Sequence, residues 1–218
     1  MPGTPPAEHP GTFDMTLANR ITMGRIILSL IIFALIIFKT LWSEVGALTL
    51  LTVASVSDWI DGAIARRTQT TTHFGAVADP FADKILVMAV FLAFASLHEL
   101  AVPLWAVFLI LLRELTISTL RVLAALHGDV MKAEQAGKIK TFIQMLSAFV
   151  IMATLVLVVW GKKHALPEPL SALVRAAKPT VWWLTVLTAL VTVVSGAIYL
   201  YNHRALLYRS WSNRARHP

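Results

Sequence analysis

The chain has 218 residues, 57% of them apolar and only 14% charged, with a mean hydropathy of +0.70 and a formal net charge of +7. A soluble domain of this size has to cover itself with polar side chains, so this composition excludes that class. Cysteine is absent, which excludes disulfides and thiolate metal sites. The apolar residues fall into six blocks, at 21–38, 45–66, 80–98, 102–125, 139–160 and 180–201. Each approaches the roughly 20 helical residues needed to cross a hydrocarbon core of about 30 Å. The expected fold is therefore an all-α integral membrane protein with six transmembrane helices.

Residues 1–12 are rich in Pro and Gly and read as a disordered leader rather than a cleavable signal. Residues 13–20 predict a short interfacial helix that turns Phe13 and Leu17 toward lipid. Asn19, Thr22 and Arg25 then fall at the inner end of helix 1, where a capped start with a snorkelling arginine is the plain explanation. Helix 2 closes with "SDWIDGAIARR", which puts Asp58, Asp61 and Ala65 on one stripe with Gly62 beside it. A polar linker follows, and Pro80 suits the first turn of helix 3, where Asp79 and Asp83 share a face. Helix 4 carries Glu114, Ser118 and Arg121 as a polar stripe bordered by Arg113. Lys138, Lys140, Thr141 and Gln144 open helix 5. Residues 161–179 read as an outer loop, and Thr185, Thr188, Thr192 and Ser195 form a stripe suited to packing between helices. Residues 13–203 thus form one membrane domain, followed by a basic tail at 204–218.

Orientation follows from the basic residues. With the N-terminus inside, thirteen fall at inner ends and loops: Arg20, Arg25, Arg66, Arg67, Lys84, Arg121, Lys132, Lys138, Lys140, Arg204, Arg209, Arg214 and Arg216. Five fall outside (Lys39, Lys162, Lys163, Arg175 and Lys178), with Arg113 left near mid-helix. Both termini are expected in the cytoplasm. Topology and attraction to anionic membrane lipids account for the positive charge, and no nucleic-acid partner is needed.

Asp58, Asp61, Asp79 and Asp83 lie within 26 residues at the edges of two apolar runs. A carboxylate near a span centre costs about 2.5–3.5 kcal/mol, and four together repel one another. A proton or cation pathway would string such groups through the depth of the membrane, whereas these sit at one level. A divalent-metal site fits better, because hard cations take oxygen ligands from carboxylates and substrate phosphates. Gly62, Ala65 and Gly75 leave bare backbone around the cluster, enough for a flat group such as a nucleotide.

The pattern Asp58-x2-Asp61-Gly62-x2-Ala65-Arg66-x8-Gly75-x3-Asp79-x3-Asp83 resembles the signature of the CDP-alcohol phosphotransferases, with all eight fixed positions filled. The resemblance implies a six-helix membrane enzyme, homodimeric, with a polar cavity open to the cytoplasm. It implies two divalent metals per site, Mg2+ or Mn2+, gripping the pyrophosphate of a CDP-linked lipid. Asp58, Asp61 and Asp79 would be the main ligands, and Asp83 the general base that also touches a metal. Gly62, Ala65 and Arg66, with Asn19, Thr22 and Arg25, would receive the CDP group, and Gly75 would permit its close fit.

"NRITMGR", "LRELTISTLR" and "GKIKTFIQ" look like the corresponding pieces of the bacterial branch that makes phosphatidylglycerol phosphate, although Ala18-Asn19 replaces a usual Pro-Asn. The likeness implies CDP-diacylglycerol as donor, sn-glycerol 3-phosphate as acceptor and residence in the bacterial inner membrane. A phosphorylated acceptor needs a basic pocket, for which Arg113, Arg121, Lys138 and Lys140 are the candidates. The depth of Arg113 demands a partner, either Glu114 or the cavity. Sister activities using inositol phosphate or phosphatidylglycerol as acceptor are the alternatives within the family, and a cation or proton transporter is the alternative outside it.

Overall fold

The computed structural model describes the backbone of residues 17–65, 73–126 and 135–204, and side chains over 23–57, 84–124 and 135–204. Among the described residues all regular structure is helical. The elements are α1 (Leu17–Phe38), α2 (Leu41–Ala65), α3 (His73–Ala95), α4 (Leu104–Leu126), α5 (Gln135–Gly161) and α6 (Glu168–Asn202). Both α5 and α6 are long and apolar enough to cross a membrane, while α1, α2 and α3 hold shorter apolar stretches.

The packing closes into a ring. α1 lies against α2 and α3, α3 against α4, α4 against α6, α6 against α5, and α5 returns to α2, with α3 also touching α5 across the middle. The core is built from Ile32 and Ile36 of α1, Leu51 of α2, Phe91 and Phe94 of α3, Ile110 of α4, and Ile151, Met152 and Leu155 of α5, all essentially inaccessible. Phe91 and Phe94 meet edge to face at 6.2 Å, a favoured aromatic geometry.

At one end, Glu99 ties three loops together. Lys39 between α1 and α2 reaches it at 3.7 Å, and Lys162 between α5 and α6 at 3.3 Å. The junctions α2–α3 and α4–α5 therefore belong to the opposite end, where the Asp motif lies. Between Lys39 and α2 the backbone turns sharply, with Lys39 at φ 53°. Thr40 and Ser43 then cap α2 reciprocally: the Thr40 N–H donates to Ser43 Oγ at 3.0 Å and the Ser43 N–H to Thr40 Oγ1 at 3.2 Å.

Three boundaries differ from the sequence-based expectation, each at a proline or a polar stretch. Leu17–Arg20 form the first turn of α1 rather than a separate interfacial helix, and residues 13–16 lie outside the described residues. α3 begins at His73, so Pro80 lies inside it instead of opening it. The expected outer loop at 161–179 is helical from Glu168, with proline at the first turn, where its missing N–H costs nothing, and with Pro179 carried inside the helix. As a result α6 has 35 residues and measures about 52 Å.

The α5–α6 seam bears out the expected small-residue packing. Thr185, Thr188, Thr192 and Ser195 are all buried. Ser147 Oγ and Thr188 Oγ1 lie 2.7 Å apart, and Gln144 Nε2 donates to Thr192 Oγ1 at 3.4 Å.

Candidate active site

The motif begins on the last turns of α2, with Asp58, Asp61, Gly62 and Ala65, and continues on the first turns of α3. Starting α3 at His73 changes the role of one position. Gly75, Asp79 and Asp83 now follow at i, i+4 and i+8 on a single helix, so the glycine shares a face with the two aspartates rather than sitting in a linker. The motif side chains, with those of Asn19 and Thr22, lie outside the described ones, and Arg66 lies outside the described residues altogether. Two carboxylates from each of two consecutive helices make a hard-oxygen donor set of the kind a divalent cation takes. Among the described side chains there is no group of three or more His, Asp or Glu that fits a metal.

Beside the motif is a pocket of about 330 Å3 lined by Arg25, Ser55, Lys84, Glu114, Lys140 and Gln144, among others. Ser55 stands one turn before Asp58 on α2, and Lys84 directly follows Asp83 on α3. Five helices contribute to the wall, which places the pocket inside the ring.

Its electrostatic centre is Glu114 of α4, 1% exposed. Lys140 of α5 forms a direct ion pair with Glu114 Oε1. Gln144, one turn further along α5, donates to the same oxygen at 3.2 Å. Lys84 of α3 stands 3.6 Å from Oε2, and Arg113 3.6 Å from Oε1. Three cations therefore converge on one carboxylate. Oε2 is buried and makes no hydrogen bond of its own.

Of the four expected acceptor-phosphate residues, the structure puts Lys140 on the pocket wall. Arg113 lies on the far side of Glu114, where its Nη2 donates to Ser195 Oγ of α6 at 3.2 Å. Gly196 makes room for it, since a Cβ there would sit 2.8 Å from Arg113 Cγ. Arg121 is two turns further along α4, with its guanidinium 5.8 Å from the centre of the Tyr199 ring. Lys138 is exposed at the start of α5. Arg25, expected at the CDP group, lines the pocket with Lys84 and Lys140.

Lys84, Glu114 and Gln144 are among the pocket residues that sequence reasoning did not assign to the site. Lys84 read as topology charge, and Gln144 as one polar residue among several at the start of helix 5. The available signal was spacing: Gln144 follows Lys140 by four residues, so one α5 face presents both.

The pocket thus gathers Arg25, Lys84 and Lys140 around Glu114, next to the helix ends that carry the aspartate motif. The sequence matches the CDP-alcohol phosphatidyltransferase family model over residues 15–194, and the chain belongs to that family of enzymes. It is 34% identical over 148 residues to the CDP-diacylglycerol–glycerol-3-phosphate 3-phosphatidyltransferase of Bacillus subtilis (strain 168), covering 62% of this chain and 76% of that protein. It is 38% identical over 130 residues to the protein of the same name from Escherichia coli (strain K12), covering 58% of this chain and 71% of that protein.

Proposed function

We propose that this protein transfers the phosphatidyl group of CDP-diacylglycerol to sn-glycerol 3-phosphate, giving phosphatidylglycerol phosphate and CMP. The observation that carries the reading is the pairing of the eight-position motif with a cation-lined pocket next to it in sequence and at the same end of the bundle. The names of the bacterial relatives supply the donor and acceptor.

Asp83 accepts the proton of the acceptor's primary hydroxyl as that oxygen attacks the phosphorus bonded to diacylglycerol. The bond from that phosphorus to the bridging oxygen breaks, and CMP leaves with the oxygen. Asp58, Asp61, Asp79 and Asp83 would hold two divalent cations, Mg2+ or Mn2+, which would supply charge neutralisation for the pyrophosphate. Gly62, Ala65 and Gly75 let the nucleotide approach the backbone, and Asn19, Thr22, Arg25 and Arg66 bind its polar groups. Lys140 and Lys84 hold the acceptor phosphate, which fixes the attacking hydroxyl and lowers the entropic barrier. Arg113 supports them from behind Glu114. This pocket chemistry favours a phosphomonoester over phosphatidylglycerol as acceptor.

In the same reading all six helices span the bacterial inner membrane, with the pocket open to the cytoplasm and both termini inside, and the enzyme works as a homodimer. Aromatic residues support the depth assignment. Phe38 at the end of α1, Trp42 at the start of α2, Trp105 at the start of α4 and Trp160 at the end of α5 are all exposed and stand at helix ends on the Glu99 side.

The test is CMP release by purified protein given CDP-diacylglycerol and Mg2+, with sn-glycerol 3-phosphate, inositol phosphate and phosphatidylglycerol supplied in turn. Release with sn-glycerol 3-phosphate alone, abolished by Asp83→Asn, is expected. Release with another acceptor instead moves the enzyme to a sister activity, and silence with all three rejects the reading.

A further inference from the structure

Glu114 needs a physical explanation that the reaction itself does not give. It is an acidic residue on the wall of a pocket assigned to an anion, where a carboxylate should repel the ligand. It is almost fully buried, yet its neighbours more than neutralise it. Lys140, Lys84 and Arg113 approach from three different helices, so three positive charges face one negative charge. Breaking such a buried group by removing one partner is costly, because the others are left with uncompensated charge. A lysine as enclosed as Lys140, 2% exposed, cannot keep its ammonium at one place without a fixed counter-charge.

The two oxygens divide the work. Oε1 is taken up by Lys140, with Gln144 donating to the same atom. Oε2 makes no hydrogen bond and faces Lys84 at 3.6 Å, beyond hydrogen-bond length. Lys84 is thus drawn toward the wall without being saturated by it. Among the described residues no hydrogen bond takes up its ammonium, which lines the pocket. Arg113 is anchored on α6 by Ser195 and by the space over Gly196, so it holds the carboxylate in place from outside the pocket.

We propose that Glu114 is the positioning residue of the acceptor pocket: it fixes the ammonium groups of Lys140 and Lys84 on the wall and cancels one of three positive charges. Lys84 and Lys140, held on the pocket wall, then present two ammonium groups, a match for a phosphomonoester dianion. This inference rests on the reading that the acceptor carries a phosphomonoester, and it gives that selectivity a residue. A hydroxyl-bearing phosphodiester, with one negative charge, is matched less well.

The experiment compares wild type, Glu114→Gln and Glu114→Asp in detergent with CDP-diacylglycerol, Mg2+ and sn-glycerol 3-phosphate. Glu114→Gln is expected to raise the acceptor KM about tenfold, the loss of roughly one charge-assisted contact, while the donor KM and kcat stay within about twofold. Glu114→Asp, which keeps the charge, recovers part of that loss. A merely structural role would change the donor and acceptor KM values together, and that result overturns the proposal. If Glu114→Gln does not fold, the double variant Glu114→Gln/Lys140→Met removes both partners and spares the buried charge. Compared with Lys140→Met alone, it isolates the effect of Glu114 on Lys84: a higher acceptor KM in the double variant is expected, and equal values overturn the proposal. Calorimetric binding of sn-glycerol 3-phosphate separates this inference from the activity. Should wild type release no CMP, tenfold weaker binding by Glu114→Gln still supports the positioning role, and equal binding or none by the wild type refutes it.

Discussion

Lys140 is held inside the protein, paired to Glu114 and backed by Gln144, and that makes it more than a surface charge waiting for phosphate. Lys140→Met should therefore have two effects. It leaves the buried Glu114 carboxylate short of its closest partner, which costs about 3 kcal/mol in stability. It also raises the KM for sn-glycerol 3-phosphate well above any change in the KM for CDP-diacylglycerol. Thermal melts and two-substrate kinetics measure both, and an unchanged acceptor KM in folded protein would remove Lys140 from the pocket. Gly196 is a second single-residue test. Its lack of a side chain matters because Arg113 Cγ would lie 2.8 Å from a Cβ there. Gly196→Val should displace Arg113 and cost about 1–3 kcal/mol through overpacking. Gly137, at the exposed start of α5, meets nothing within 4 Å of an added Cβ, so Gly137→Ala is the neutral control.

Helix ends and seams carry the next level of specification. The Thr40–Ser43 capping pair starts α2 immediately after a positive-φ residue, so the cap fixes where the helix begins. Thr40→Ala should cost about 1 kcal/mol in thermal stability. Thr188→Val on the α5–α6 seam removes one partner of Ser147 and should cost about 0.6 kcal/mol, since interhelical hydrogen bonds contribute modestly in membranes. Glu99 joins three loops and carries a pH signature. Hydrogen bonding to backbone, and then Lys162 and Lys39, hold its carboxyl below the ordinary 4.5 against a smaller opposing effect of burial. A depressed folded pKa stabilises the fold above the unfolded value, and that contribution is lost as pH falls through the folded one. The stability advantage of wild type over Glu99→Gln should shrink on acidification below about pH 4.5 and stay level above about pH 6. The group is partly exposed, so the whole effect is small.

At the scale of the molecule, the closed ring sets which loops share an end. The Glu99 ion pairs collect the α1–α2, α3–α4 and α5–α6 connections, and the motif and pocket lie at the other end. The chain contains no cysteine, so single introduced cysteines report topology without background. In right-side-out vesicles, Lys163→Cys should react with a membrane-impermeant maleimide, and Lys138→Cys only after permeabilisation. Labelling of Lys138→Cys alone from outside would invert the orientation and put the pocket on the wrong side for a cytoplasmic nucleotide.

The sequence by itself determined the helical class, the six helices of the described residues and the family. These depend on spacing along the chain: apolar blocks of spanning length, and eight motif positions whose separations are meaningful only on helices. Boundaries marked by proline were less legible. Pro80 and Pro179 are accommodated inside helices, which local propensity disfavours and the surrounding bundle tolerates. Only the tertiary structure decided which cations meet. Arg113, Arg121, Lys138 and Lys140 were all candidates for one pocket, because a periodic pattern gives a face but not the neighbour it meets. Packing of α4 on α6 turned Arg113 toward Ser195, and α5 brought Lys140 and Gln144 onto Glu114. The rotation of each helix about its axis is set by contacts far apart in the chain. For that reason the three-cation grouping around one buried carboxylate could not be read from any single segment.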